Sequence, residues 1–179
     1  MSSRSKSPSS RNRDAGVQAR RGRSAARLAA VQALYQQSVT GTHVAKLLGE
    51  FHNHRLGEVI EGDRMAGADL CFFDDLVSGT LARADEIDAL VKRFLGAGWT
   101  IDRLDRLMLQ ILRSGAYEMI ARPDIPRAAI VSEYVDVADA FYPRPEVGFV
   151  NALLDRLGKS VRPDLPPDLP PDLSPVNGG

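Results

Sequence analysis

Arginines at positions 20, 21, 23 and 27 are the densest set of chemically capable side chains in this sequence. Arg20-Arg21-x-Arg23, followed at helical spacing by Arg27, is a cluster of permanently charged planar forks suited to phosphate oxygens. Arginine-rich segments of this kind order on RNA, with unpaired bases stacking on guanidinium planes or nearby aromatics. The other reactive side chains converge poorly. His43, His52 and His54 are the only histidines, and the pair in His52-Asn53-His54 points to different sides of a helix, with nothing to complete a zinc site. Asp74-Asp75 and Asp85-Glu86 are paired carboxylates, but consecutive helical residues diverge by about 100°, so they read as an acidic outer face. Cys71, beside Phe72 and Phe73, reads as a buried thiol. No Gly-x-x-x-x-Gly-Lys-Ser/Thr loop, no Gly-x-Gly-x-x-Gly turn and no Gly-x-Ser-x-Gly elbow is present. The expectation is a binding protein with no catalytic activity, no metal and no cofactor.

The formal net charge of zero over 179 residues conceals a division. Residues 1–27 carry eight cations against Asp14 alone, a net +7 that the remaining residues must balance with −7. A basic arm on an acidic body points to a polyanion at the arm and a basic protein at the body. One cysteine rules out an internal disulfide. No apolar run approaches the ~20 residues of a membrane span, and no signal-peptide core is seen, so no membrane and a cytoplasmic location are expected.

These side chains need helices to hold them. Residues 1–19 have almost nothing to bury and are expected to be a disordered basic arm. Leu28, Val31, Leu34, Tyr35 and Ser38 form the stripe of a first helix, ended by Thr40 and Gly41. Extended backwards, the same stripe carries Arg20, Arg23 and Arg27, which cannot be buried unpaired. The helix is therefore expected to overrun its core at Leu28 and hold the guanidinium groups at the domain's edge. Val44, Leu47, Leu48 and Phe51 signal a second helix, continuing towards Val59 and Ile60. Asp69 caps a long third helix, whose stripe runs through Phe94 to Gly96 and Gly98. The central element is a helix between Trp99 and Pro126 that is apolar almost all round, with Thr100 as its cap and Trp99 stapled onto Leu104. Pro126 opens a helix through Phe141, and Pro145 opens the last one, which Gly158 ends. Phe149 falls off the Val147, Val150, Leu154, Leu157 stripe, so it reads as a second-row core residue or as an aromatic available to RNA. No alternating strand is apparent, which makes the domain all-α with about six helices. The Pro-Asp-Leu-Pro repeat from Pro163 onward is expected to be a solvated tail, residues 163–179.

Four separated motifs, in order, carry a resemblance. They are Arg21-x-Arg23 leading into Ala29-Ala30-Val31-Gln32-Ala33-Leu34-Tyr35, then Ile111-Leu112-Arg113-Ser114-Gly115-Ala116-Tyr117-Glu118, then Arg122-Pro123-Asp124-Ile125-Pro126, and Phe149-Val150-Asn151-Ala152-Leu153-Leu154-Asp155. Over residues 20–162 the chain resembles the NusB family of transcription antitermination proteins. The resemblance implies an all-α bundle of six to seven helices in two three-helix subdomains, without catalysis. It implies pairing with NusE, a small-subunit ribosomal protein, and binding of single-stranded boxA RNA within the RNA polymerase antitermination complex on ribosomal RNA operons. It also implies that Arg21, Arg23 and Arg27, with Arg20 beside them, and Phe149 contact RNA, and that Tyr35 lies near NusE. The loop Tyr142-Pro143-Arg144-Pro145-Glu146 and Gly148 depart from the family pattern. A related helical fold precedes the catalytic part of an RNA cytosine methyltransferase, so the alternative is an accessory RNA-binding domain. A DNA-binding regulator would need a helix-turn-helix pair, which is lacking. A homodimer that buries the arginine face is compatible with the sequence.

Overall fold

The computed structural model describes residues 8–56 and 67–163. Among them seven α-helices, one π turn at 52–56 and one 3-10 turn at 101–103 account for the regular structure. The expected continuation of the second helix to Val59 and Ile60, and the Pro-Asp-Leu-Pro repeat beyond Pro163, lie outside the described residues.

Helix α1 (Pro8–Thr40) starts earlier than expected: Arg, Ala and Gln before Leu28 favour helix and no proline interrupts residues 9–27, so the helix runs on through Gly16 and Gly22. Gly41, at φ 69°, ends it. Its core face consists largely of alanines at 25, 26, 29, 30 and 33, all buried, which lets neighbouring helices approach its backbone. Helix α2 (Val44–Phe51) is capped by His43, whose Nδ1 accepts from the Ala45 amide at 3.3 Å. Asp69 caps α3 (Leu70–Ala82) as the sequence predicts, accepting from the Phe72 amide at 3.0 Å.

The single long third helix is two helices in the structure. Arg83, at φ −112°, breaks the run between α3 and α4 (Ala84–Lys92). No glycine or proline marks this corner. The turn lets α4 bury Ile87 and Val91 while its chain packs on α5 and α7. Helix α5 (Arg106–Ala121) is shorter than expected. Its cap is Asp105, which accepts from the Leu107 and Met108 amides at 3.1 Å, and not Thr100. A carboxylate two to three residues before those amides satisfies two orphan donors, whereas Thr100 precedes only the 3-10 turn. Most of α5 is buried, as its all-round apolar pattern predicts. Helices α6 (Arg127–Asp139) and α7 (Arg144–Val161) complete the fold, with Pro126 as the residue before α6 and Pro145 inside the first turn of α7.

Helices α1, α2 and α3 form one three-helix group, and α5, α6 and α7 the other. Helix α5 also packs against α1 and α3, and α4 bridges α5 and α7. Close approaches fix the joints. A methyl at Gly115 would come within 2.8 Å of the Leu154 side chain, and one at Gly79 would overlap the Tyr117 ring. Chain direction follows from such contacts: α7 runs alongside α5, with Leu154 at Gly115 and Gly158 at Met119. Helix α1 brings Arg27 to Glu118, near the C-terminal end of α5.

Candidate nucleic-acid interface

The leading part of α1 carries the arginine row, and the structure divides it. Arg20 and Arg21 are exposed, Arg23 is half-buried, and Arg27 is only 3 % exposed. The core therefore does not stop at Leu28. Ala25, Ala26 and Gly22 are buried beneath the row, and the Asp69 amide donates to the Gly22 carbonyl at 2.9 Å. Arg27 points inward to Glu118, itself 0 % exposed, with Nε and Nη2 donating at 3.0 and 2.5 Å to its two carboxylate oxygens. Nη1 lies 3.2 Å from Glu133 on α6. Burial alone would lower the Arg27 pKa, but the hydrogen bonds and charge of Glu118 outweigh it and hold the guanidinium above its ordinary value. Its position at the domain's edge was expected because an unpaired buried arginine is untenable. The partner lies 91 residues away in sequence and only the fold supplies it.

Phe72, on α3, is the hidden centre of this end of the molecule. Three guanidinium carbons lie over its buried ring: Arg23 at 5.5 Å, Arg27 at 5.1 Å and Arg122 at 5.1 Å. Arg122 is fixed in turn by Asp124 at 3.0 and 3.1 Å and by Asp75 at 3.3 Å. Asp124 raises the Arg122 pKa, and Arg122 holds the Asp124 carboxyl below its usual range. Asp75 also accepts from the Tyr117 hydroxyl at 2.8 Å. Desolvation and that carboxylate push the Tyr117 pKa up to about 12. The sequence assigned no site role to Phe72, or to Arg122, which only opens one of the four motifs. Phe72 followed a recognised helix cap, but only the tertiary contacts show cations gathering on it. On the other side of α1, Arg20 and Arg21 border a groove of about 800 Å³ whose far wall includes Glu133, Asp136 and Asp139.

Phe149 is not part of this cluster. It lies five residues before Leu154 in α7, level with the first half of α5, whereas Arg27 is paired near the other end, about 12 Å further along the axis. Its ring is half-buried and sits 6.4 Å from Trp99, tilted by 35°. Trp99 is 55 % exposed and does not act as a buried staple, because residues 101–103 form a separate 3-10 turn before α5 begins. Tyr35 lies towards the C-terminal end of α1, 41 % exposed, with the exposed Val39 one turn on. The structure therefore keeps the arginines, Phe149 and Tyr35 as separate stations and does not assemble them in one pocket.

Two further expectations change. Asp74 and Asp75 are not simply a solvated face, since His52 lies 2.7 Å from Asp74 and Asp75 serves Tyr117 and Arg122. Cys71 is exposed and not buried, because the core side of the first turn of α3 is occupied by Phe72 and Phe73. Among the described residues no group of three or more His, Cys, Asp or Glu side chains could hold a metal ion, and no helix is long and apolar enough to cross a membrane.

The fold and this surface define a helical bundle of two three-helix groups with a cationic leading edge. The chain belongs to the NusB family, whose model matches residues 24–159. It is 61 % identical over 140 residues to the transcription antitermination protein NusB of Sphingopyxis alaskensis, covering 78 % of this chain and 94 % of that protein. The namesake from Novosphingobium aromaticivorans is 56 % identical, covering 78 % and 95 %. Among solved structures, T. maritima NusB superposes with a TM-score of 0.63 at 26 % identity, over 75 % of this chain and 88 % of that one. A crystal structure of the antitermination factors NusB and NusE in complex with dsRNA shares the fold, with a TM-score of 0.64 at 23 % identity, over 76 % and 96 % of the two chains.

Proposed function

We propose that this protein is a cytoplasmic transcription antitermination factor that works as a non-catalytic adaptor. It binds boxA RNA of ribosomal RNA transcripts together with NusE and keeps RNA polymerase processive. Membership of the NusB family supports the process, and the observation that carries the RNA contact is the row Arg20, Arg21 and Arg23, accessible at the leading edge of α1. In this reading these three supply phosphate contacts, and Arg27 holds α1 against α5 and α6 so that the row keeps its place. Phe149 supplies a base contact from a second station. Tyr35 and the exposed end of α1 face NusE, a basic protein that the acidic body attracts.

The test is RNA binding with and without NusE, comparing boxA with a scrambled strand of equal length across a salt series. Cooperative gain confined to boxA, with a logarithmic salt slope of about −2 to −3 for three to four neutralised phosphates, is expected. A slope near zero, or equal gain for both strands, overturns the reading.

A further inference from the structure

Trp99 is the largest exposed aromatic on the molecule, and it is not isolated. Its indole rests against Phe149, and the Arg103 guanidinium lies 6.0 Å from the centroid of its ring. Arg103 is held there by donating from Nη1 to the Gly98 carbonyl at 2.9 Å. Gly98 has φ 83°, a conformation that side chains rarely adopt, so the turn that presents the indole is defined by its own backbone. Two turns after Phe149 on the same helix face stands exposed Arg156, which donates from Nη2 to the Phe94 carbonyl at 3.1 Å. The result is two adjoining rings, one half-buried and one mostly open, with Arg103 beside the indole and Arg156 further along the helix face that carries Phe149. Core packing does not call for an indole whose surface is more than half in water. For a polyanion with unstacked bases, by contrast, this arrangement offers a π-face next to phosphate-binding groups.

We propose that Trp99 stacks on a base of unpaired RNA, with Phe149 backing the indole and with Arg103 and Arg156 taking the flanking phosphates. This rests on the RNA-binding reading above and makes the Phe149 station, separate from the arginine row, a site centred on Trp99. An RNA strand that reaches both must run along the flank of the bundle for more than the length of a single nucleotide site.

The sequence contains one tryptophan, so the intrinsic fluorescence of the unaltered full chain reports this site alone. Binding is followed at the same time by anisotropy of end-labelled single-stranded boxA RNA. Quenching of the indole emission that tracks the anisotropy, with no quenching by inorganic polyphosphate, supports the proposal, since polyphosphate offers charge without bases. Trp99→Ala is expected to weaken RNA binding about five- to 150-fold, while Trp99→Phe retains binding within a few-fold. RNA that binds by anisotropy and leaves the tryptophan emission unchanged overturns the Trp99 site and spares the arginine row. Absence of RNA binding by anisotropy overturns both readings. If the alanine variant fails to fold, the wild-type quenching experiment decides alone.

Discussion

Replacing Arg27 by methionine separates two roles that the sequence cannot tell apart: a phosphate contact and an internal tie. Arg27 is 3 % exposed and Glu118 0 %, and their two hydrogen bonds are the polar link between α1 and α5 at this end. Methionine keeps the bulk of the stem but strands the Glu118 carboxylate where water does not reach. Removing one partner of such a buried pair costs about 3–5 kcal/mol. For a domain of this size that corresponds to a fall in Tm of roughly 6–20 °C. Converting the pair together, Arg27→Met with Glu118→Leu, removes both charges. Glu133 is then left with enough exposure to be solvated. The double variant should therefore recover most of the loss, because replacing a buried ion pair by apolar groups is often neutral or better. Urea and thermal unfolding followed by circular dichroism measure this, and the refolded double variant is then carried into RNA binding over a salt series. Its slope should equal that of the wild type. A single variant destabilised by less than about 1 kcal/mol, or a double variant no more stable than the single, refutes the structural role. A double variant whose slope flattens by about 0.7 shows that Arg27 neutralises a phosphate after all.

Arg21→Ala and Arg23→Ala should each flatten the salt slope by about 0.7 and weaken boxA and scrambled strands alike, which filter binding at several salt concentrations checks. Gly79→Ala drives a methyl into the Tyr117 ring where α3 crosses α5 and should cost about 1–3 kcal/mol in chemical denaturation. Tyr117 is held neutral up to about pH 12 against an ordinary value of 10, so the stability it contributes is complete below pH 10 and is lost as pH rises through the interval to 12. Tyr117→Phe should therefore show a shallower decline of stability across that interval than the wild type, and equal slopes would remove the inferred role of Asp75.

Local pattern accounts for much of the architecture. Apolar spacing of three and four, the Asp69 cap and the stops at Gly41 and Pro123 place helices where the structure has them, since each depends on residues within a turn or two of one another. The ordered motifs around Tyr35, Tyr117, Pro123 and Phe149 identify the family for the same reason: they are contiguous in sequence. The row of exposed Arg20 and Arg21 and half-buried Arg23 was likewise legible, because charged forks at one helix end have no local partner. What the sequence alone did not decide were relations between segments. The corner at Arg83 carries no breaking residue and exists because α4 must reach α5 and α7. The shift of the α5 cap from Thr100 to Asp105 follows from the 3-10 turn in between. Trp99 reads as a staple and stands in solvent beside Phe149. Arg27 continues the same stripe as its exposed neighbours, yet Glu118, 91 residues further on, takes it inside. Periodicity fixes which face of a helix a charge occupies, but whether that charge meets water, a carboxylate or an aromatic ring is set by the helix packed against it.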